Sequence, residues 1–141
     1  MQSHPIAMSR ARGVLGNVLA IFPAAILIAS SLAKLGHVPA VAGPLAKLGF
    51  FGDRLLFIAV AELVSAVLFV VPRTRALGLM LVSSYLGGAI AAHMSHGEAI
   101  FQPAFILALF WTATAVRNPE AFWSLAHERS ANFTAINAEQ R

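Results

Sequence analysis

The sequence has no cysteine, one tyrosine, and only sixteen charged side chains in 141 residues, ten Lys/Arg and six Asp/Glu. Each shortage excludes a class. Without cysteine there is no disulfide framework and no thiolate for metal or redox chemistry. A charged share of 11% is well under the roughly one quarter of an ordinary soluble domain, and disordered chains are richer in charge and poorer in apolar residues. The basic residues form no cluster interleaved with aromatics, so nucleic acid is not an expected partner. No phosphate-binding glycine loop, dinucleotide fingerprint, nucleophile elbow or HExxH helix is present.

What the chain has instead is apolar length. It is 58% hydrophobic, with a mean hydropathy of +0.74. A membrane-spanning helix takes roughly 20 apolar residues, with a range of about 17 to 25. Four stretches meet or approach that length: about 14–35, 55–71, 76–94 and 100–116. Each is apolar on most sides, as suits contact with lipid. The expected fold is therefore all-α, a bundle of four transmembrane helices spanning 14–117. A segment over 1–13 precedes it and a polar tail over 118–141 follows. The first run is nearer twenty residues than the about 7 to 15 of a signal peptide, so it is taken as a span.

Between the first two runs lies the Gly- and Pro-rich segment Gly36 to Arg54, long enough for a re-entrant or interfacial piece with Phe50 and Phe51 toward lipid. Pro72-Arg73-Thr74-Arg75 is a tight basic turn. Pro119 discourages continuation of the last helix, and Pro119 to Trp123 has the character of a short interfacial helix. Pro23 is expected to bend the first helix. With four spans, Arg10, Arg12, Arg73, Arg75, Arg117, Arg129 and Arg141 share one side, against Lys34, Lys47 and Arg54 on the other. The positive-inside rule then places both termini in the cytoplasm. That placement discounts the glycosylation sequon at Asn132. With no cleavable presequence, the expected location is a multi-pass position in a prokaryotic inner membrane.

Fifteen of the sixteen charged residues fall in tails, loops or helix ends; Glu62 does not. A carboxylate inside a bilayer costs a few kcal/mol and tends to face a bundle interior and a partner. Glu62 lies seven residues beyond Leu55, roughly 10 Å along the helix. Lys34 ends the first run and can either snorkel outward or turn toward Glu62, snorkelling being the common habit of such lysines. Tyr85, Ala89, His93 and His96 follow one helical face of the third run. Lys34, Glu62, Tyr85 and His93 are thus expected around a polar cavity that holds a ligand or a proton and opens to the extracytoplasmic side. The competing interpretation is a hydrogen-bonded knot that fixes helix register. No catalytic residue is assigned. The nearest approach to a metal-ligand set is His93, His96 and Glu98, with His37 as another third ligand, but two histidines do not close a site. No metal is therefore predicted. Small residues at Ala25, Ala29 and Ala33, and at Ser84, Gly88 and Ala92, are expected at helix contacts.

The order of several short elements then points to a family. Lys34-Leu35 closes the first run, and Glu62-Leu63 lies in the second. Pro72-Arg73-Thr74-Arg75, Tyr85-Leu86-Gly87-Gly88-Ala89-Ile90 with His93, and Trp111 with Arg117-Asn118-Pro119 follow. Together they resemble the DoxX-like family of small four-helix membrane proteins over about Ala20 to Pro119. The resemblance implies the bundle fold and links to membrane redox systems, since relatives include subunits associated with thiosulfate oxidation to quinone. On that footing quinone is an admissible cofactor. Besides the lipid bilayer, the expected partner is a redox-enzyme subunit or a second copy of the chain. A small-ligand binding or carrier protein and a non-catalytic anchor are the alternatives. The missing cysteines set this chain apart from thiol redox chemistry.

Overall fold

The computed structural model describes residues 4–118, with side chains from Gly13 onward. These residues form five α-helices and no strand: α1 His4–Leu35, α2 Pro39–Lys47, α3 Asp53–Val70, α4 Arg75–Ser95 and α5 Phe101–Arg117. The four long helices lie close to the expected runs, and α2 is an addition. α1 also begins at His4, well before the apolar run, because nothing from His4 to Val14 breaks a helix and hydropathy does not mark helix starts. It continues unbroken through Pro23, whose side chain is fully buried. The expectations at Pro119 to Trp123 and at Asn132 lie outside the described residues.

α1 packs on α3 and α5, and α4 packs on the same two, so the long helices form a ring of alternating direction. The buried positions recur four and three residues apart. That series is Ala20, Ala24, Leu27, Ser31 and Lys34 on α1 and Leu55, Ala59, Glu62, Ala66 and Phe69 on α3, with Gly16, Pro23 and Ser65 also buried. That alternation keeps a seam facing its neighbour, as in a coiled coil. A strict spacing of four drifts about 40° per step around a helix of 3.6 residues per turn. The Ala25, Ala29 and Ala33 series accordingly leaves the seam, with Ala25 and Ala29 exposed. Phe69 and Phe110 meet edge to face at the centre, with ring centroids 4.7 Å apart.

Alanines and glycines occupy much of the seam, while large apolar side chains point outward. Val14, Val18, Phe22, Phe57, Val64, Leu77, Met80, Phe101 and Phe105 are all exposed. An apolar belt on every long helix is the reverse of a soluble bundle and matches a lipid surroundings. By length and apolar character two helices suffice to cross a membrane, Gly13–Leu35 within α1 and Arg75–Ser95. α3 spends its first turn on Asp53 and Arg54 and carries Glu62, and α5 has 17 residues.

The turns set the ends of the ring. Val38 N–H reaches Ala33 O at 2.9 Å, closing a Schellman-type cap with His37 at φ 52°. Gly36 looks like the residue for that role, but the left-handed position falls one residue later. Pro39 then starts α2 at its first turn. At the opposite end, Thr74 Oγ donates to Leu68 O at 2.9 Å, folding the basic turn tightly. Gly78 lies against the backbone of Leu68 and Phe69, where any Cβ would overlap it.

Candidate functional site

α1, α3 and α4 bring Lys34, Glu62 and Tyr85 to one point. The seam periodicity of α1 and α3 forces the first two inward, because Lys34 follows Leu27 and Ser31, and Glu62 sits between Ala59 and Ala66. Lys34 is 5% exposed and Glu62 2%, so the lysine does not snorkel. Its Nζ donates to Glu62 Oε2 at 2.5 Å, to Ser30 Oγ at 2.9 Å and to the Tyr85 hydroxyl at 3.1 Å. All three ammonium protons are thereby used. The nitrogen is 5.8 Å from the Tyr85 ring centroid, which is close to its 3.1 Å bond plus the ring's own reach to the hydroxyl oxygen. It therefore lies along the C–O axis, and the contact is a hydrogen bond rather than a cation over the ring face.

Ser30 was absent from the expected set. It stands four residues before Lys34, one turn back on the same face, and that spacing was the available signal. Ser30 and Tyr85 also border the Glu62 carboxylate. The net result is a neutral pair with a hydroxyl from each flank. Breaking a buried pair by removing one partner costs about 3–5 kcal/mol, whereas replacing both with apolar groups is often close to neutral.

Tyr85 is also one wall of a cavity of about 250 Å³ between α4, α3, the last turn of α2 and the chain that follows it. Leu45, Leu48, Phe50 and Ile58 line one side; Ser84, Tyr85, Gly88, Ala89, Ala92 and His93 of α4 line the other. Of the face Tyr85, Ala89, His93 and His96, the first three line this space and His96 does not; Lys34 and Glu62, expected around the same cavity, are not among its lining residues. Phe50, expected toward lipid, is half-buried and lines the cavity, while Phe51 is exposed. Ser84, Gly88 and Ala92, expected at a helix contact, border the cavity. A Cβ at Gly87 or Gly88 would meet nothing within 4 Å, so close packing does not require either glycine.

His93 takes no part in the Lys34–Glu62 network. Gly97 at φ 68° and the Glu98 N–H bond to His93 O at 2.9 Å end α4 in a Schellman-type turn. That turn folds Glu98 back, leaving its Oε2 3.0 Å from His93 Nδ1, off the line of a hydrogen bond. His96 faces the carbonyl of Ala92, 3.0 Å from its Nδ1. The pairing of His93 with Glu98 is thus a local product of the helix end. Among the described residues no three His, Cys, Asp or Glu side chains gather in a metal-holding group.

The elements read from the sequence also carry a family signature. The family model described as the DoxX-like family matches residues 18–116, which takes in Lys34, Glu62, Tyr85 and His93. No curated protein and no solved structure matches the chain.

Proposed function

This chain belongs to the DoxX-like family, and from that premise we propose that it binds a small lipophilic molecule in the cavity beside Tyr85. The observation that carries the proposal is the junction of two unlike environments at one residue. The Tyr85 hydroxyl is held by Lys34 within the ion pair, while Tyr85 also walls an apolar space of about 250 Å³. Ligand sites are mostly apolar with a few fixed polar groups, and Ser84, Tyr85 and His93 supply those groups.

In this proposal the chain spans the membrane four times, through α1, α3, α4 and α5. Two observations support that topology: the alternating ring, and the large apolar side chains exposed on all four helices. Eighteen residues in α3 and seventeen in α5 give about 27 and 26 Å. Against a hydrocarbon core of about 30 Å, that shortfall is met by local thinning or by polar flanks. With Lys34 withdrawn into the bundle, only Lys47 and Arg54 remain on the side of α2, a charge balance that supports reading both termini as cytoplasmic. The cavity then lies toward the extracytoplasmic face of an inner membrane.

A second reading, membership in a membrane redox system, draws on the hydroxyl that joins cavity and ion pair. Quinone-type chemistry moves protons with electrons. Tyr85, Lys34 and Glu62 form a hydrogen-bonded chain able to hold a proton next to the cavity. Gentle solubilisation followed by mass spectrometry of the extract tests both readings. A lipophilic molecule retained by the native chain and lost in Gly88→Leu supports the binding role. A co-purifying redox subunit supports the second role. Identical extracts from the native chain and Gly88→Leu, both well folded, reject the cavity as the site.

A further inference from the structure

The end of the bundle opposite Lys34 holds two arginines that no described carboxylate neutralises. Arg117, the last residue of α5, lies across α1 at Gly16, where a Cβ would fall 2.6 Å from Arg117 Cγ. Its Nη2 donates to Asn17 Oδ1. Its Nε and Nη1, and Nε of Arg75, are closed off from solvent and have no hydrogen-bond partner among the described residues. Arg75 is near enough for its charge to be felt at Arg117, and the two ion pairs formed among the described residues lie elsewhere. Arg75 also opens α4, at the positive end of a 21-residue helix whose preceding residue, Thr74, gives its hydroxyl to Leu68.

Two like charges with three orphaned donors are an expensive arrangement unless an anion completes it. A carboxylate or a chloride would use part of the donor set. A tetrahedral oxyanion can take donors from both guanidinium groups at once, and Arg matches phosphate geometry through its planar fork. We infer that Arg117, Arg75 and Asn17 form a binding site for a phosphate oxyanion, carried either by an anionic phospholipid headgroup or by free phosphate. Gly16 is the space that lets Arg117 fold over α1 to reach it, and Asn17 holds the guanidinium in place. Basic pockets between helices on the cytoplasmic side are a known way to hold anionic headgroups, and this end carries the cytoplasmic arginines in the four-span topology.

The test uses the full chain, delipidated in neutral detergent, with thermal melting followed as short-chain phosphatidylglycerol, short-chain phosphatidylcholine or inorganic phosphate is added. Phosphatidylglycerol is expected to raise the melting temperature, and phosphatidylcholine is not. Arg117→Gln is expected to raise the half-saturating concentration by about tenfold or more, and Arg117→Lys by less, since it keeps charge without the fork. Stabilisation by phosphatidylglycerol alone identifies the headgroup as the source; an equal effect of inorganic phosphate identifies the free anion. Equal responses to the two lipids with none to phosphate, or an undiminished response in Arg117→Gln, overturn the site. So does a response that appears only in Glu120→Gln, because the tail's own carboxylate would then be the occupant. If Arg117→Gln does not fold, Arg75→Gln gives the same readout.

Discussion

Near α2, Lys34 and Glu62 lie 2.5 Å apart between three helices, and Ser30 and Tyr85 take the remaining ammonium donors. About 26 Å away along α1, counting from Lys34 back to Asn17, Arg75 and Arg117 carry like charges, and only one of their nitrogens bonds to the described side chains. Among the described residues, one cluster is complete and the other is not. The contrast follows from where the residues stand. Lys34 and Glu62 occupy seam positions surrounded by protein, so each must satisfy the other. The arginines stand at helix ends, where a headgroup or an anion can supply the missing charge. In the proposed readings, function at the first end rests on the space beside a closed network, and at the second on donors that the described residues leave unpaired.

The largest effect should come from opening the closed cluster. Lys34→Met leaves Glu62 buried without its cation and should destabilise the fold by about 3–5 kcal/mol in detergent unfolding, while Lys34→Met with Glu62→Leu recovers most of that loss. A double variant as unstable as the single one would show that the pair does more than balance charge. Next, Gly78→Ala forces a Cβ into the backbone of Leu68 and Phe69. About 1–3 kcal/mol of overpacking is expected, with the arginine end disturbed ahead of the Lys34 end. Hydrogen exchange at the two ends reads that difference.

Smaller effects separate the roles further. Tyr85→Phe removes one hydrogen bond from Lys34 without stranding a charge, and should cost about 1 kcal/mol while reducing retention of the cavity ligand. Arg117→Gln in lipid-free detergent should change melting by the least, under about 1 kcal/mol, and can even stabilise by removing like-charge repulsion. A loss as large as that for Lys34→Met would place a fixed partner at Arg117 and erase the contrast between the two ends.

The sequence made the four long helices legible because lipid demands unbroken apolar length, and it singled out Glu62 as the one charge out of place. It was less able to place neighbours. His93 shares a face with Tyr85, yet the turn after α4 hands it to Glu98. Lys34 has the look of a snorkelling lysine, and only the 4–3 seam shows that it must point inward. α2 was concealed by its two prolines, one of which is well suited to a helix start.

Composition and the length of the apolar runs by themselves determined the all-helical fold and its apolar surroundings, because these depend on local length and solvent preference; the order of short motifs carried the family resemblance. Tertiary structure alone decided which charges meet. Glu62 finds Lys34 twenty-eight positions earlier, and Arg117 finds Asn17 one hundred positions earlier. Such partners are chosen by the rotation and register of packed helices, which no single helix encodes.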